Sequence, residues 1–208
     1  MAIRRALTLQ NIVDAKIPRF DFAGEWFEAF GRPQMGGIWF VYGGSGSGKT
    51  SFVLSLMKCM SVFSNKILFE SHEEGEKSTA LQDSIKRLGL LSIDKKVMVI
   101  DESLEEMYER LDMQKSPDII FIDSLEHSEF KNIKQVVDLR KRYPKKTFVI
   151  IGQASGSNPR TELGVSVLFI ANQKIYVEGY RAFSRGRSFG SKEYFTIWEE
   201  EAAIYWNK

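Results

Sequence analysis

An α/β fold with a mostly parallel sheet between helices is predicted by three features of this chain. Short apolar runs rich in Ile, Val and Phe alternate with amphipathic segments of helix length. Those runs are apolar throughout, as strands covered on both faces must be. From about residue 174 onward polar and apolar residues alternate instead, so an antiparallel extension is expected on one sheet edge.

The elements follow in order. The first 35 residues are expected to be an irregular lead-in packed on the core, because Phe20, Phe22, Trp26, Phe27 and Phe30 would be costly to expose. Strands are expected at Ile38–Tyr42, Ile67–Ser71, Val97–Asp101, Ile119–Asp123 and Phe148–Gln153. Helices are expected at Lys49–Phe63, at about Glu76–Leu88 with Gly89 ending it, at Leu104–Met113, and at about Lys131–Tyr143 with Pro144 stopping it. Residues 154–159 read as a loop, and Thr161–Ala171 as a short helix or a strand. Lys174–Glu178, Tyr180–Ser184 and Tyr194–Trp198 form the antiparallel extension.

The bulk properties exclude several classes. A chain of 208 residues suits one domain with a substantial core. A net charge of +2 gives composition no case for nucleic-acid binding. One Cys (Cys59) and two His cannot make an intramolecular disulfide or a zinc cluster, and Cys59 reads as a core thiol. No signal-like or membrane-spanning apolar stretch is present, so a cytoplasmic protein without a membrane partner is expected. The basic stretch Lys131, Lys134, Arg140, Lys141, Arg142, Lys145 and Lys146 reads as a solvated helix face.

The chemistry centres on residues 43–50, Gly-Gly-Ser-Gly-Ser-Gly-Lys-Thr, between a strand and a helix. This is the Gly-x4-Gly-Lys-Thr phosphate-binding loop. Gly43, Gly44, Gly46 and Gly48 let the backbone curl so that successive N–H groups, with Ser45, Ser47 and Ser51 among them, surround phosphate oxygens. The helix N-terminus adds partial positive charge. Lys49 reaches the β- and γ-phosphates, and the Thr50 hydroxyl suits Mg²⁺. Asp123 ends the apolar run Ile119-Ile120-Phe121-Ile122 at the crevice edge of the sheet and is the expected second magnesium residue. Asp101 ends a similar run and competes; Asp123 is favoured because Ser124 follows it and because of its distance beyond the glycine-rich loop. After the second strand, Glu73 and then Glu74 are candidates to activate an attacking water. Gln153 ends the fifth strand and suits a sensor of the terminal phosphate. Arg185 and Arg187, two apart on a strand, face one way and suit a polyphosphate in their own or a neighbouring site.

Taken in order, these motifs resemble the RecA-like P-loop ATPase superfamily, in particular its RadA, KaiC and DnaB branch. Ile67-Leu68-Phe69-Glu70-Ser71-His72-Glu73-Glu74 is similar to the strand and Glu-Glu segment of RadA and KaiC. Ser116 to Leu125 looks like the Pro-Asp…Ile-Asp-Ser segment of RadA, and Arg185-Gly186-Arg187 looks like the Lys/Arg-x-Arg fingers that reach a neighbour's site. The resemblance implies ATP and Mg²⁺ as ligands, assembly into a ring or filament, hydrolysis at subunit interfaces with Glu73 or Glu74 as base, and Gln153 as the switch residue. It implies single-stranded DNA and other replication or recombination proteins as partners. The loop after Gln153 is short, however, and carries only Arg160. The zinc finger and protease-like domain of RadA have no counterpart. Phe20-Asp21-Phe22-Ala23 fits the Phe-x-x-Ala polymerisation pattern of recombinases, a pattern too short to carry weight. Other readings are a nucleotide-gated assembly module with little hydrolysis, and a small-molecule phosphotransferase.

Overall fold

The computed structural model describes residues 6–207. Its sheet has the order β3-β2-β4-β5-β1-β7-β8-β9, with the two-residue β6 (Asn158–Pro159) paired to the end of β5. β1 is Gly37–Gly43, β2 Ile67–Ser71, β3 Val97–Ile100, β4 Ile119–Asp123, β5 Thr147–Ser155 and β7 Gln173–Glu178, and these six are parallel. β8 (Arg181–Ser184) and β9 (Tyr194–Thr196) are antiparallel, as the alternation predicts.

Successive strand residues point to opposite faces, and both faces are covered. Trp39, Val41, Phe69, Phe121, Val149 and Ile151 pack on one side with α3 (Lys49–Met60). The same core takes Phe20 and Phe22 from the lead-in. Ile38, Phe40, Leu68, Ile120, Ile122, Phe148 and Ile150 pack on the other side, against α5 (Leu104–Asp112), α6 (Ile133–Arg142) and α7 (Glu162–Ile170). α3 buries Phe52, Val53, Leu54, Leu56, Met57 and Met60, so its apolar surface is too wide for an amphipathic stripe. α4 (Thr79–Arg87) starts at a Ser78 cap, and a 3₁₀ segment, Leu90–Lys96, follows Gly89.

Glu162–Ile170 is helical, which resolves the helix–strand ambiguity there. Thr161 caps the first turn, and only Gly164 and Val167 are buried, one turn apart. The lead-in is more regular than expected, with α1 (Leu9–Val13) and α2 (Gly24–Phe30). Trp26 of α2 stacks on Phe195 at 4.2 Å, joining the lead-in to the antiparallel edge. Phe27 departs from expectation and lies exposed, with Arg32 over its ring. A further helix, α8 (Glu199–Trp206), follows β9 and was not signalled by the sequence. Residues 154–159, read as a loop, form the β5–β6 hairpin.

Candidate functional site

The strand order places the site. β1 and β4 flank β5, and the connection leaving β1 crosses over to β2, so a crevice opens beyond the carboxyl ends of these strands. Gly43 ends β1 beside Gln153 of β5, and Ser71 ends β2 beside Asp123 of β4. Four sequence-distant segments thus meet at one sheet end. They line a cavity of about 350 Å³ whose walls include Ser45, Gly46, Gly48, Lys49, Thr50, Ser51, Glu73, Glu74, Asp123 and Gln153.

Two of the loop's glycines, Gly43 and Gly48, are required by close contacts. A Cβ on Gly43 would lie 2.2 Å from the Val177 carbonyl oxygen, because β7 runs close alongside. Gly48 has φ 97°, and a Cβ there would meet the Tyr180 ring at 2.9 Å. The Tyr180 N–H donates to the Ser47 carbonyl at 3.0 Å, so the β7–β8 turn straps the loop from outside. The Lys49 ammonium donates to the Gly44 carbonyl at 2.7 Å. Burial lowers its pKa, and the carboxylates of Glu73, Asp123 and Glu126 resist that shift.

Asp123 is buried, and its pKa is pushed up to about 7, first by burial and then by the Glu73 and Glu74 carboxylates, against the pull of Lys49. Its carbonyl accepts from the His72 N–H at 2.7 Å and the Glu73 N–H at 3.0 Å, which fixes the Glu73 backbone to the end of β4. Glu74 accepts from the Ser78 hydroxyl at 2.7 Å, at the cap of α4. The Glu73 carboxylate is the less engaged of the two, with His127 Nδ1 at 3.8 Å. Asp101 lies outside this cavity: it follows the edge strand β3 and pairs with His72 Nδ1 at 2.8 Å.

The residues present suit a magnesium–triphosphate. The Ser47 hydroxyl is buried with no hydrogen-bond partner among the described residues, and a Cβ on Gly44 or Gly46 would meet open space. Among the described residues, no group of three or more His, Cys, Asp or Glu side chains is arranged to hold a metal. Thr50 and Asp123 line the cavity together, and phosphate and water oxygens would complete a hard cation's shell.

Arg185 and Arg187 do not line this cavity, which corrects their reading as own-site ligands. β8 runs antiparallel to β7 and carries the chain away from the phosphate loop, so Arg185 N–H bonds to Lys174 and Arg187 N–H to Asn172, at the opposite sheet end. Nor do they face one way, since β8 ends at Ser184. The Arg185 guanidinium lies 4.5 Å from the Tyr176 ring and donates to the Tyr42 hydroxyl, whereas Arg187 enters a separate pocket. Phe20 and Phe22 of the Phe-x-x-Ala stretch are buried in their own core.

Sequence reasoning missed four residues of the site. Glu126 accepts from the Gln153 N–H at 3.0 Å and keeps its second oxygen buried without a partner. His127 bonds to the Ser124 hydroxyl at 2.8 Å, beside Glu73. Tyr180 and Trp198 wall the cavity on the far side, and Arg87 covers Trp198 while donating to Ser51 Oγ at 2.8 Å. Glu126, three residues after Asp123, was the one with a readable signal.

The cavity lies at the carboxyl end of a mostly parallel sheet in a RecA-like fold. The chain is similar in structure to the flagellar accessory protein FlaH from Methanocaldococcus jannaschii, with a TM-score of 0.60 and 14% identity over 86% of this chain and 93% of that one. It is also similar to a KaiC-like protein from Pyrococcus horikoshii, with a TM-score of 0.57 and 16% identity over 84% of this chain and 90% of that one. No protein-family model and no curated protein matches the chain. Among the described residues, no helix is long and apolar enough to cross a membrane.

Proposed function

We propose that this chain binds Mg²⁺–ATP and hydrolyses it as a self-assembled ring or filament. The observation that carries this reading is the meeting of Lys49, Thr50, Asp123, Glu73 and Gln153 around one cavity that, among the described residues, no arginine lines. Loop N–H groups and Lys49 bind the phosphates, and Thr50 with Asp123 would hold the magnesium. Magnesium, when bound, offsets charge on the transferring phosphoryl group. Glu73 takes a proton from the water whose oxygen attacks the terminal phosphorus, and ADP leaves with the bridging oxygen. Gln153 orients that water or reports its loss, since its side-chain oxygen also accepts from Arg160 at 2.9 Å. Arg185 and Arg187 act on a neighbouring copy's nucleotide, because their own site lies at the other sheet end. Tyr180 and Trp198 offer rings to the base.

The resemblance implies a client among DNA, replication and recombination proteins. Two observations favour instead the reading of a nucleotide-gated assembly module with a protein client. The loop after Gln153 closes as a tight hairpin, and its Arg160 is bound to Gln153. One fold neighbour is described as a flagellar accessory protein. ATP hydrolysis by the purified protein, with and without single-stranded DNA, separates these readings. Turnover stimulated by DNA and lost in Lys49→Ala and Glu73→Gln supports the DNA motor. ATP binding that is lost in Lys49→Ala, with turnover slow and indifferent to DNA, supports the assembly module. Failure of the wild type to bind ATP would overturn both.

A further inference from the structure

At the end of the sheet opposite the phosphate loop lies a second cavity, of about 430 Å³. Three arginines line it from three separate stretches of chain: Arg19, Arg32 and Arg187. Arg19 precedes the core and is held by a β-bridge to Gln34, Arg32 follows α2, and Arg187 follows β8. Among the described residues no carboxylate lines the cavity, and its other polar walls are Gln34, Asn172, Gln173 and Ser188.

The cavity is held in shape. Gln173 is only 4% exposed, and its amide pairs with the Ser188 backbone in the orientation that satisfies both of its ends. The Ser188 hydroxyl donates to the Phe30 carbonyl at 2.9 Å, and the Gly190 N–H donates to the Ala29 carbonyl at 3.1 Å. Among the described residues, Arg32 pairs with Asp21, while no ion pair joins Arg19 or Arg187 to an acid. Arg19 and Arg187, without an acid partner, together with Arg32, which is shared with Asp21, leave the concavity net positive and favour a compact multivalent anion there. Guanidinium forks match phosphate oxygens in pairs, and amide N–H groups add neutral donors.

We propose that this cavity is a second anion site that takes the di- or triphosphate group of a nucleotide or of inorganic polyphosphate, with Arg19 and Arg32 as ligands beside Arg187. Two sources carry that chemistry, free phosphoanion and the nucleotide held in the phosphate loop of a second copy. Only the second source rests on the assembly reading above.

The test uses full-length Lys49→Ala protein, which lacks the P-loop lysine. In the first arm, tripolyphosphate is titrated calorimetrically into it. One saturable site that weakens about tenfold or more in Arg19→Gln and Arg32→Gln versions, with unchanged melting temperature, identifies the free anion. In the second arm, Lys49→Ala protein is mixed with ATP-loaded wild type and association is followed by sedimentation. ATP-dependent association that is lost when the Lys49→Ala partner also carries Arg19→Gln and Arg32→Gln identifies the second copy's nucleotide. Arg19→Lys with Arg32→Lys, which keep charge but lose the forks, should recover part of the effect in whichever arm responds. Absence of binding in the first arm, together with association indifferent to the arginines in the second, overturns the proposal whatever the wild type does with ATP.

Discussion

Glu73 and Glu74 are neighbours in sequence but not in circumstance. Glu74 is engaged by Ser78 and Glu73 stands free beside His127. Glu73→Gln should therefore lower ATP turnover by about 10²-fold or more with nucleotide affinity kept, while Glu74→Gln should cost less than about tenfold; single-turnover kinetics checks both. Glu70, within β2 just before them, has a different fate. It is fully buried with neither oxygen bonded, against the Glu102–Arg110 ion pair, where Arg110 Nη2 meets Glu102 at 2.6 Å. Burial first, and then the Glu102 carboxylate, push its pKa up to about 8 against the opposing charge of Arg110. The unfolded chain has ~4.3 there, so between these values the folded state holds the extra proton and stability falls as pH rises. The loss is complete once pH passes the folded value. Glu70→Gln should therefore flatten this decline, gaining stability on the order of a few kcal/mol near pH 8 and little near pH 4, in urea melts at several pH values.

Elements whose apolar residues form an uninterrupted run were legible in the sequence, because a strand buried on both faces has no other way to be written. β1, β2, β4 and β5 appear within two residues of expectation, and Asp123 was readable because a carboxylate ends such a run. The helices outside the strand–helix alternation, α1, α2 and α8, were not legible. In α8 three glutamates are followed by a continuous apolar run, Ala202 to Trp206, rather than a periodic pattern, and no side chain caps its start. It forms because of what it meets: Trp206 Nε1 donates to the Gly179 carbonyl at 2.9 Å, and Arg181 lies 5.0 Å from the Trp206 ring. The choice between an own and a neighbouring site for Arg185 and Arg187 was not legible for a similar reason, since the sequence does not tell that β7 is parallel to β1 and so does not tell to which end β8 returns. Gly179 has φ 50°, and a Cβ there would strike the Tyr205 ring at 2.2 Å, so α8 and the β7–β8 turn are fitted to each other. Trp206→Ala should loosen that turn, lowering stability by about 1–3 kcal/mol and weakening ATP binding through the Tyr180–Ser47 bond; thermal melts with and without ATP would show both.

For the molecule as a whole, the two cavities at opposite ends of the sheet differ in the charge that lines them. The loop end gathers Glu73, Glu74, Asp123 and Glu126 around Lys49, and the other end gathers Arg19, Arg32 and Arg187. A molecule so polarised is complementary to its own copy placed head to tail. ATP turnover per chain should accordingly rise with protein concentration and fall as salt is raised, and a rate constant independent of both would deny that copies complete each other's sites. The strap over the phosphate loop has a mechanical side. From Tyr180, bonded to Ser47, strand β8 spans four residues, roughly 13 Å at ~3.3 Å each, and delivers the chain directly to Arg185. It is stiffened by pairing with β7 and β9, with no slack segment to absorb a displacement. The strand is therefore a pushrod: a phosphate that shifts the loop also shifts the opposite end of the same subunit, which is the end a neighbour would feel.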